Sequence, residues 1–300
     1  VNNPGELWLD AEAGRRRVAL PWLTLERLRT LAELVGQSNK QAVDAAAPIL
    51  SARLPTKERV QITIPGACED GHIYFAIRKP ADKVVTLEEY QAAGVFEQTE
   101  RVAVDLPRRV QAQPSTQDRQ LAALADGGDW MNFIRQAVLA KKNILVSGTT
   151  GCGKTTFLNA LLREVPEHER IGTIEDVREL QVKQPNRFHL LVRQPHPTAA
   201  HQLKNCLRMN PDRIIMGEIR GEEADDYLDG LNTGHPGSIC SVHANSAADV
   251  FDRLVDMAMG KGSTRSPENI LAKAGKAVQV AIQITKDAGP RRVSGVYFGT

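Results

Sequence analysis

The stretch that most constrains the fold of this chain covers residues 143–156 and has the sequence NILVSGTTGCGKTT. Residues 148–155 match the pattern G-x-x-x-x-G-K-S/T. An apolar run at 144–146 precedes the glycines, and the amphipathic segment TFLNALLRE at 156–164 follows them. This order predicts a buried strand, a glycine-rich turn and a helix, which together form the setting of a phosphate-binding loop, or P-loop.

Each residue type in the P-loop suits the binding of phosphates. Glycine lets the backbone curl closely around phosphate oxygens, and the start of the following helix adds the positive end of its dipole. Lys154 places a positive charge on the β- and γ-phosphates, and the Thr155 hydroxyl can ligate Mg²⁺. We therefore predict a site for ATP and Mg²⁺. The residues expected to contact the nucleotide are Gly148, Thr149, Thr150, Gly151, Cys152, Gly153, Lys154, Thr155 and Thr156.

Composition argues against several other kinds of site. The formal net charge is +2 and aromatic residues make up 5% of the chain, so neither charge nor stacking surfaces indicate a nucleic-acid partner. The four cysteines form no C-x-x-C pair, which disfavours a zinc ribbon and a disulfide framework and favours a reducing cytoplasm. The sequence has no run of about eighteen apolar residues that would span a membrane.

Residues 1–97 mix predicted strands and helices, and we expect them to form a smaller α+β domain. Thr24 precedes a helix, and Thr86 with Glu89 forms a capping box at the start of another. A turn is predicted at 13–14, and Pro80 is predicted to end a strand.

Residues 98–128 are rich in Gln, Pro, Arg and Asp and are predicted to be a linker, with one short helix near 120–125. Residues 129–300 alternate apolar strands with helices, which predicts a mostly parallel sheet covered by helices on both faces. The predicted fold class is therefore α/β, with a second, smaller α+β domain at the amino terminus.

Two acidic residues follow predicted strands of this sheet. Ligands of open α/β sheets bind beyond the carboxyl ends of the strands, where such side chains converge. Glu175, after the strand near 172–174, can hold Mg²⁺ through water or orient an attacking water; a solvated acidic loop is the alternative. Glu218, after the strand at 213–216, is a candidate to polarise the lytic water, although it can instead cap the helix that starts near Glu222.

Two histidines, His235 and His243, bracket a third strand within residues 237–242. They lie at opposite ends of that strand, which disfavours a shared metal site. His243 follows the carboxyl end, so it can donate to the γ-phosphate or sense its loss; a hydrogen-bonded loop histidine is the alternative.

Four motifs resemble, in residue sequence and in order, those of the traffic ATPases of bacterial type IV secretion systems, within the type II and type IV secretion ATPase superfamily. They are GTTGCGKTT at the P-loop, TIEDVREL as the Asp box, LRMNPDRIIMGEIRGEEA at the Walker B strand and GHPGSICSVHANS as the His box. The segment ERVQITIPGACEDGHIYFAIRKP at 58–80, followed by TLEEY, extends the resemblance to the first domain.

The resemblance implies a homo-hexameric ring with two tiers, one of amino-terminal domains and one of RecA-like carboxyl-terminal domains, with the nucleotide between the two domains. It implies a motor that hydrolyses ATP at the cytoplasmic face of an inner-membrane secretion complex, peripherally associated with that membrane. The expected partners are the other ATPases of the complex and the exported substrate or its coupling protein; sequence-specific nucleic-acid binding is not expected. An arginine of the amino-terminal domain reaches the phosphates in that family, and Arg78 matches it. Arg208 and Arg220, which flank the Walker B strand, are further candidates for neutralising charge.

Three positions are unusual: Cys152 and Gly221 depart from the family pattern, and Gly217 departs from that of many P-loop enzymes. Cys152 replaces the commoner Ser, Gly217 stands where many P-loop enzymes keep a Mg²⁺-binding Asp, and Gly221 stands where relatives often carry Asp. Three alternatives therefore stay open: a type II secretion or pilus assembly or retraction ATPase, many of which carry a C-x-x-C module; a nucleotide-gated scaffold that hydrolyses little; and a nucleic-acid translocase.

Overall fold

The computed structural model describes residues 1–11, 14–56, 58–79, 84–107, 114–193, 196–232, 234–260, 265–286 and 290–299. The chain divides into two compact units, Val1–Asp82 and Lys83–Thr300. Pro80 and the first half of the predicted turn at 13–14 lie outside the described residues.

The first unit is an α+β structure with its own core. Its elements are β1 (Glu6–Ala11), β2 (Gly14–Ala19), α1 (Leu25–Ser38), β3 (Ile49–Arg53), β4 (Arg59–Thr63) and β5 (Tyr74–Arg78). β1 and β2 form an antiparallel hairpin, and β3, β4 and β5 form an antiparallel sheet in that order. Thr24 caps α1, as predicted. Leu28 of α1 packs with Leu50 and Ile62 of the sheet, because each of these elements buries one apolar face.

The second unit contains α2 (Leu87–Ala92), β6 (Glu100–Val102), α3 (Thr116–Asp126), α4 (Trp130–Leu139), β7 (Ile144–Ser147), α5 (Lys154–Glu164), β8 (Ile171–Glu175), β9 (Arg187–Leu191), α6 (Ala199–Arg208), β10 (Arg213–Ile219), α7 (Glu223–Asn232), β11 (Ile239–Val242), α8 (Asp249–Ala258), α9 (Pro267–Ala277), β12 (Val280–Thr285) and β13 (Arg292–Phe298). The predicted capping box of Thr86 and Glu89 is present at the start of α2.

In the described part of the chain, eight strands form one sheet in the order β6-β13-β12-β7-β11-β10-β8-β9. Neighbouring strands from β12 to β9 are parallel, whereas β13 runs antiparallel to β12. The carboxyl ends of β7, β8, β10 and β11 therefore meet at one edge of the sheet. This edge is where the predicted phosphate-binding, acidic and histidine segments all emerge.

Helices cover both faces of this sheet. Ile144 and Val146 of β7 face a core that includes residues of α2 to α5, whereas Leu145 faces a core built with α6 to α9. The apolar run in β7 has no polar interruption because both faces of the strand are buried. The prediction of a mostly parallel sheet covered on both faces is confirmed.

Residues 98–128 differ from the predicted linker where they are described. β6 pairs with β13, and the helix predicted near 120–125 is the longer α3, which buries Leu121 and Ala125 in the core of the second unit. The division of the chain into two compact units falls between residues 82 and 83, whereas the predicted domain boundary is between 97 and 98. Polar composition hid the short edge strand and the one apolar side of the helix. The domain limits 1–97 and 129–300 stay a prediction.

Candidate functional site

The P-loop connects β7 to α5 at the centre of the carboxyl edge. Gly148 has a φ of 151°, and a Cβ atom there would lie 2.3 Å from the carbonyl oxygen of Ile284 and 2.6 Å from Sγ of Cys152. Only glycine fits this close approach of the backbone. Gly153, with a φ of 107°, precedes α5, whose first turn has no side-chain cap. The amide groups of that turn are therefore available to a bound anion.

Lys154 is buried in the P-loop, with 8% of its surface exposed. Its Nζ donates to the carbonyl oxygens of Gly148 at 2.8 Å and Thr149 at 3.1 Å. Nζ also lies 3.2 Å from Nδ1 of His243. The ammonium group is thus held inside the loop, within reach of a histidine that is 89 residues away in the sequence.

Glu218 reaches the same edge through an irregularity in β10. Met216 pairs with Cys240 and Ile219 pairs with Val242, so two residues of β10 face the single Ser241 of β11. Such a bulge re-aims the side chains at the strand end. Among the described residues, Glu218 Oε2 accepts from Nε of Arg220 at 2.7 Å, and Oε1 lies 2.5 Å from Nε2 of His243.

The contacts of His243 define its tautomer. A lysine ammonium only donates, so Nδ1 of His243 accepts from Lys154 and the ring proton is on Nε2. Nε2 lies 2.5 Å from Oε1 of Glu218, but its N–H group makes no hydrogen bond to this oxygen, which has no hydrogen-bond partner among the described residues. Burial lowers the pKa of His243, Glu218 raises it and Lys154 lowers it, with a net lowering. The ring is therefore neutral at pH 7 and lies between a cation and a carboxylate.

Glu175 is the last residue of β8 and is almost fully buried. Its Oε1 accepts the backbone N–H groups of Glu179 at 2.7 Å and Leu180 at 2.8 Å. Burial raises the pKa of Glu175, although these two N–H groups oppose the change. A Cβ atom at Gly217 would lie 3.4 Å from Cγ of Glu175, so the Glu175 side chain lies beside the position where an Asp is usual. Glu175 is not part of a solvated loop.

The alternative role of Glu218 as a helix cap is not what the structure has. Glu223, in the first turn of α7, accepts instead, from the backbone N–H groups of Arg220 at 2.8 Å and Gly221 at 3.2 Å. The Arg220 guanidinium pairs with both Glu218 and Asp176. Arg220 therefore connects the acidic ends of β8 and β10.

Arg208 does not lie at the P-loop edge of the second unit, and Arg78 belongs to the first unit. Arg208 ends α6 and lies on the surface five residues before β10 begins, at the amino edge of the sheet. Arg78 ends β5 in the first unit and is exposed there. Their roles at the nucleotide stay predictions.

Sequence reasoning missed Gln283, which connects two of these segments. Its Oε1 accepts from Ser147 Oγ at 2.5 Å, and its Nε2 donates to the carbonyl oxygens of Ala244 at 3.3 Å and Asn245 at 3.1 Å. Gln283 thus ties the end of β7 to the loop after His243. The available signal was a glutamine inside the otherwise apolar run VAIQI of β12.

A cavity of about 530 Å³ opens beside the P-loop. Its lining residues are Gly148, Thr149, Thr150, His243, Ala244, Asn245, Asp249, Asp252, Arg253 and Asp256. Across the described ranges, no three His, Cys, Asp or Glu side chains converge on a metal site.

A P-loop on an inner strand of a mostly parallel sheet, with strand-end acids beside it, is the architecture of a P-loop ATPase. Residues 2–287 match the family described as Type II/IV secretion system protein, and the chain belongs to that family. No helix within the described ranges combines the length and the apolar character needed to cross a bilayer.

Individual relatives agree with this assignment. The type IV secretion system protein VirB11 of Bartonella quintana is 35% identical over 309 residues, which cover 99% of this chain and 86% of that protein. The PtlH homolog of Bordetella bronchiseptica, also a type IV secretion system protein, is 38% identical, with 99% and 88% covered. The crystal structure of the VirB11 ATPase from Brucella suis, in complex with sulphate, matches with 38% identity and a TM-score of 0.59, covering 99% and 88%.

These findings confirm three predictions: membership of the type IV secretion ATPases, the mixed α/β fold and the hydrolysis of ATP. The chain is a nucleotide-binding component of a secretion system. The type II secretion and pilus alternatives receive no better support from these comparisons.

Proposed function

We propose that this chain is the ATP-driven motor of a type IV secretion system and that Lys154, His243 and Glu218 form the centre of its hydrolytic site. The observation that carries the proposal is the position of His243, whose two ring nitrogens lie 3.2 Å from Nζ of Lys154 and 2.5 Å from Oε1 of Glu218. This arrangement joins the group that binds phosphate to the group proposed to act on water.

The residues around the P-loop fit Mg-ATP. Bound Mg²⁺ supplies positive charge that neutralises the phosphates during hydrolysis. The Thr155 hydroxyl, in the first turn of α5, would hold the ion, with Glu175 acting through water. Nζ of Lys154 now donates to two carbonyl oxygens of the P-loop, and phosphate oxygens would take over these bonds.

Glu218 is the proposed base for the attacking water. Oε2 is occupied by Arg220, so Oε1 is the oxygen that would accept the proton of the water. Nε2 of His243 lies close to this oxygen without a hydrogen bond to it, so its N–H group would be available to donate to the γ-phosphate. Arg220 keeps the carboxylate in place and, with Arg78 and Arg208, stays a candidate for charge neutralisation.

The proposed setting is a homo-hexameric ring at the cytoplasmic face of the inner membrane, with peripheral attachment. The proposed partners are the other ATPases of the secretion complex and the exported substrate or its coupling protein. Support comes from the similarity over nearly the whole chain to type IV secretion proteins.

Phosphate release in a single turnover at saturating Mg-ATP tests the hydrolytic role. We expect the full chain to bind ATP and release stoichiometric phosphate. Tight ATP binding without phosphate release would instead identify a nucleotide-gated scaffold. Purification of the protein from crosslinked native membranes would identify the complex to which it binds. Co-purified export components would support the proposal, and co-purified pilin platforms would contradict it.

A further inference from the structure

The hydroxyl of Thr173 lies between the ring of His189 and the carboxylate of Glu175. Thr173 is fully buried in β8, and its Oγ1 is 2.8 Å from Nδ1 of His189 and 3.4 Å from Oε2 of Glu175. Thr173 and Glu175 are two residues apart on one strand, so they share a face. Thr173 also pairs directly with His189 of β9. The sheet register therefore brings all three side chains together.

Arg178 gives these hydrogen bonds a direction. Its NH2 lies 3.0 Å from Nε2 of His189, and a guanidinium only donates. Nε2 must therefore accept, which leaves the ring proton on Nδ1 to be donated to Thr173. The single hydroxyl proton of Thr173 is then directed to Glu175. Burial, and next Arg178 and Arg187, lower the pKa of His189, in agreement with a neutral ring.

We propose that Arg178, His189 and Thr173 form a directional hydrogen-bond chain that orients the Glu175 carboxylate at the nucleotide site. The inference rests on the role proposed above for Glu175. Backbone N–H groups anchor Oε1 of this carboxylate, so the Thr173 hydroxyl is what fixes the direction of Oε2. Arg178, His189 and Thr173 are positioning residues that act through Glu175.

The decisive variant is Thr173→Val, which keeps the shape of the buried side chain and removes the hydroxyl. A hydrogen bond to a charged group corresponds to roughly a tenfold or larger change in rate. We expect kcat for Mg-ATP hydrolysis by the full chain to fall about tenfold or more, with KM changed less than about twofold. The matched variant Thr173→Ser keeps the hydroxyl and should keep kcat within about twofold.

Changes at His189 test the same chain from its half-buried end. His189→Leu removes the donor to Thr173 and should lower kcat in the same direction as Thr173→Val. His189→Asn places an amide nitrogen near the position of Nδ1 and should recover most of the loss. This pattern of loss and rescue in kcat is not expected of residues that only stabilise the sheet.

The outcomes separate the two proposals. If Glu175→Gln lowers kcat while Thr173→Val and His189→Leu do not, the hydrogen-bond chain is wrong and the role of Glu175 stands. If Glu175→Gln leaves kcat unchanged, the proposed role of Glu175 fails and the inference fails with it. If Thr173→Val does not fold, His189→Leu decides, and a lower melting temperature with normal kcat would indicate a purely structural network.

Discussion

The most direct test of the site is Glu218→Gln, which preserves size and removes the negative charge. Among the described contacts, Oε2 of Glu218 lies 2.7 Å from Nε and 2.6 Å from NH2 of Arg220, while Oε1 lies 2.5 Å from Nε2 of His243. An amide has one oxygen and one NH₂ group. One of the two neighbouring donors must then face another donor, and His243 cannot change tautomer while Lys154 donates to Nδ1.

The size of the effect follows from these contacts. Losing one charge-assisted hydrogen bond costs roughly 1.5–3 kcal/mol, and losing a positioned general base lowers the rate by about 10²- to 10⁴-fold. At about 1.4 kcal/mol per factor of ten, this decrease in kcat corresponds to a rise of roughly 3–5 kcal/mol in the activation free energy. KM should change little, because the P-loop and Lys154 are untouched.

Steady-state phosphate release, together with a separate titration of ATP binding, measures both quantities. The matched control is Glu222→Gln, an exposed acid four residues further along the chain, which should keep normal kcat. A Glu218→Gln protein with kcat within threefold of the wild type would refute the assignment of Glu218 as the base.

Three further predictions concern stability and binding. Arg213→Met removes the fully buried partner of the buried Glu169 carboxylate and should lower the free energy of unfolding in urea by about 3–5 kcal/mol. Arg265→Met, at an exposed ion pair with Asp225, should lower it by about 1 kcal/mol or less. An equal loss in both would contradict this. Gly148→Ala forces a Cβ atom to within 2.3 Å of a carbonyl oxygen and should abolish binding of a fluorescent ADP analogue. Gly151→Ala meets no atom within 4 Å and carries only the backbone strain of a φ of 78°, so it should weaken binding less. The folded-state pKa of His243 is lowered, so the unfolded state binds more protons as the pH falls through about 6.5, and unfolding becomes easier there. The slope of unfolding free energy against pH should be shallower in His243→Asn, and an unchanged slope would argue against a lowered pKa of His243 in the folded state.

The local parts of the site were predictable from the sequence because neighbouring residues define them. The P-loop is a continuous segment in which the apolar run, the glycines, the lysine and the helix follow in order, so its residue types alone indicate its backbone conformation. Glu175, Glu218 and His243 were also predictable as strand-end residues, because the carboxyl ends of parallel strands share one edge. The polar composition of residues 98–128 gave no sign of β6 and α3, since these elements need few apolar residues to pack within the second unit.

By itself, then, the sequence determined the phosphate-binding loop, the alternation of strands and helices and the edge at which the reactive residues emerge. The tertiary structure decided which of those residues meet. The bulge in β10 turns Glu218 towards His243, the strand order places Arg208 at the opposite edge, and the pairing of β8 with β9 brings His189 to Thr173. Local conformation follows from a residue and its neighbours, whereas contacts such as that of Lys154 with His243, 89 positions apart, depend on the register of the whole sheet.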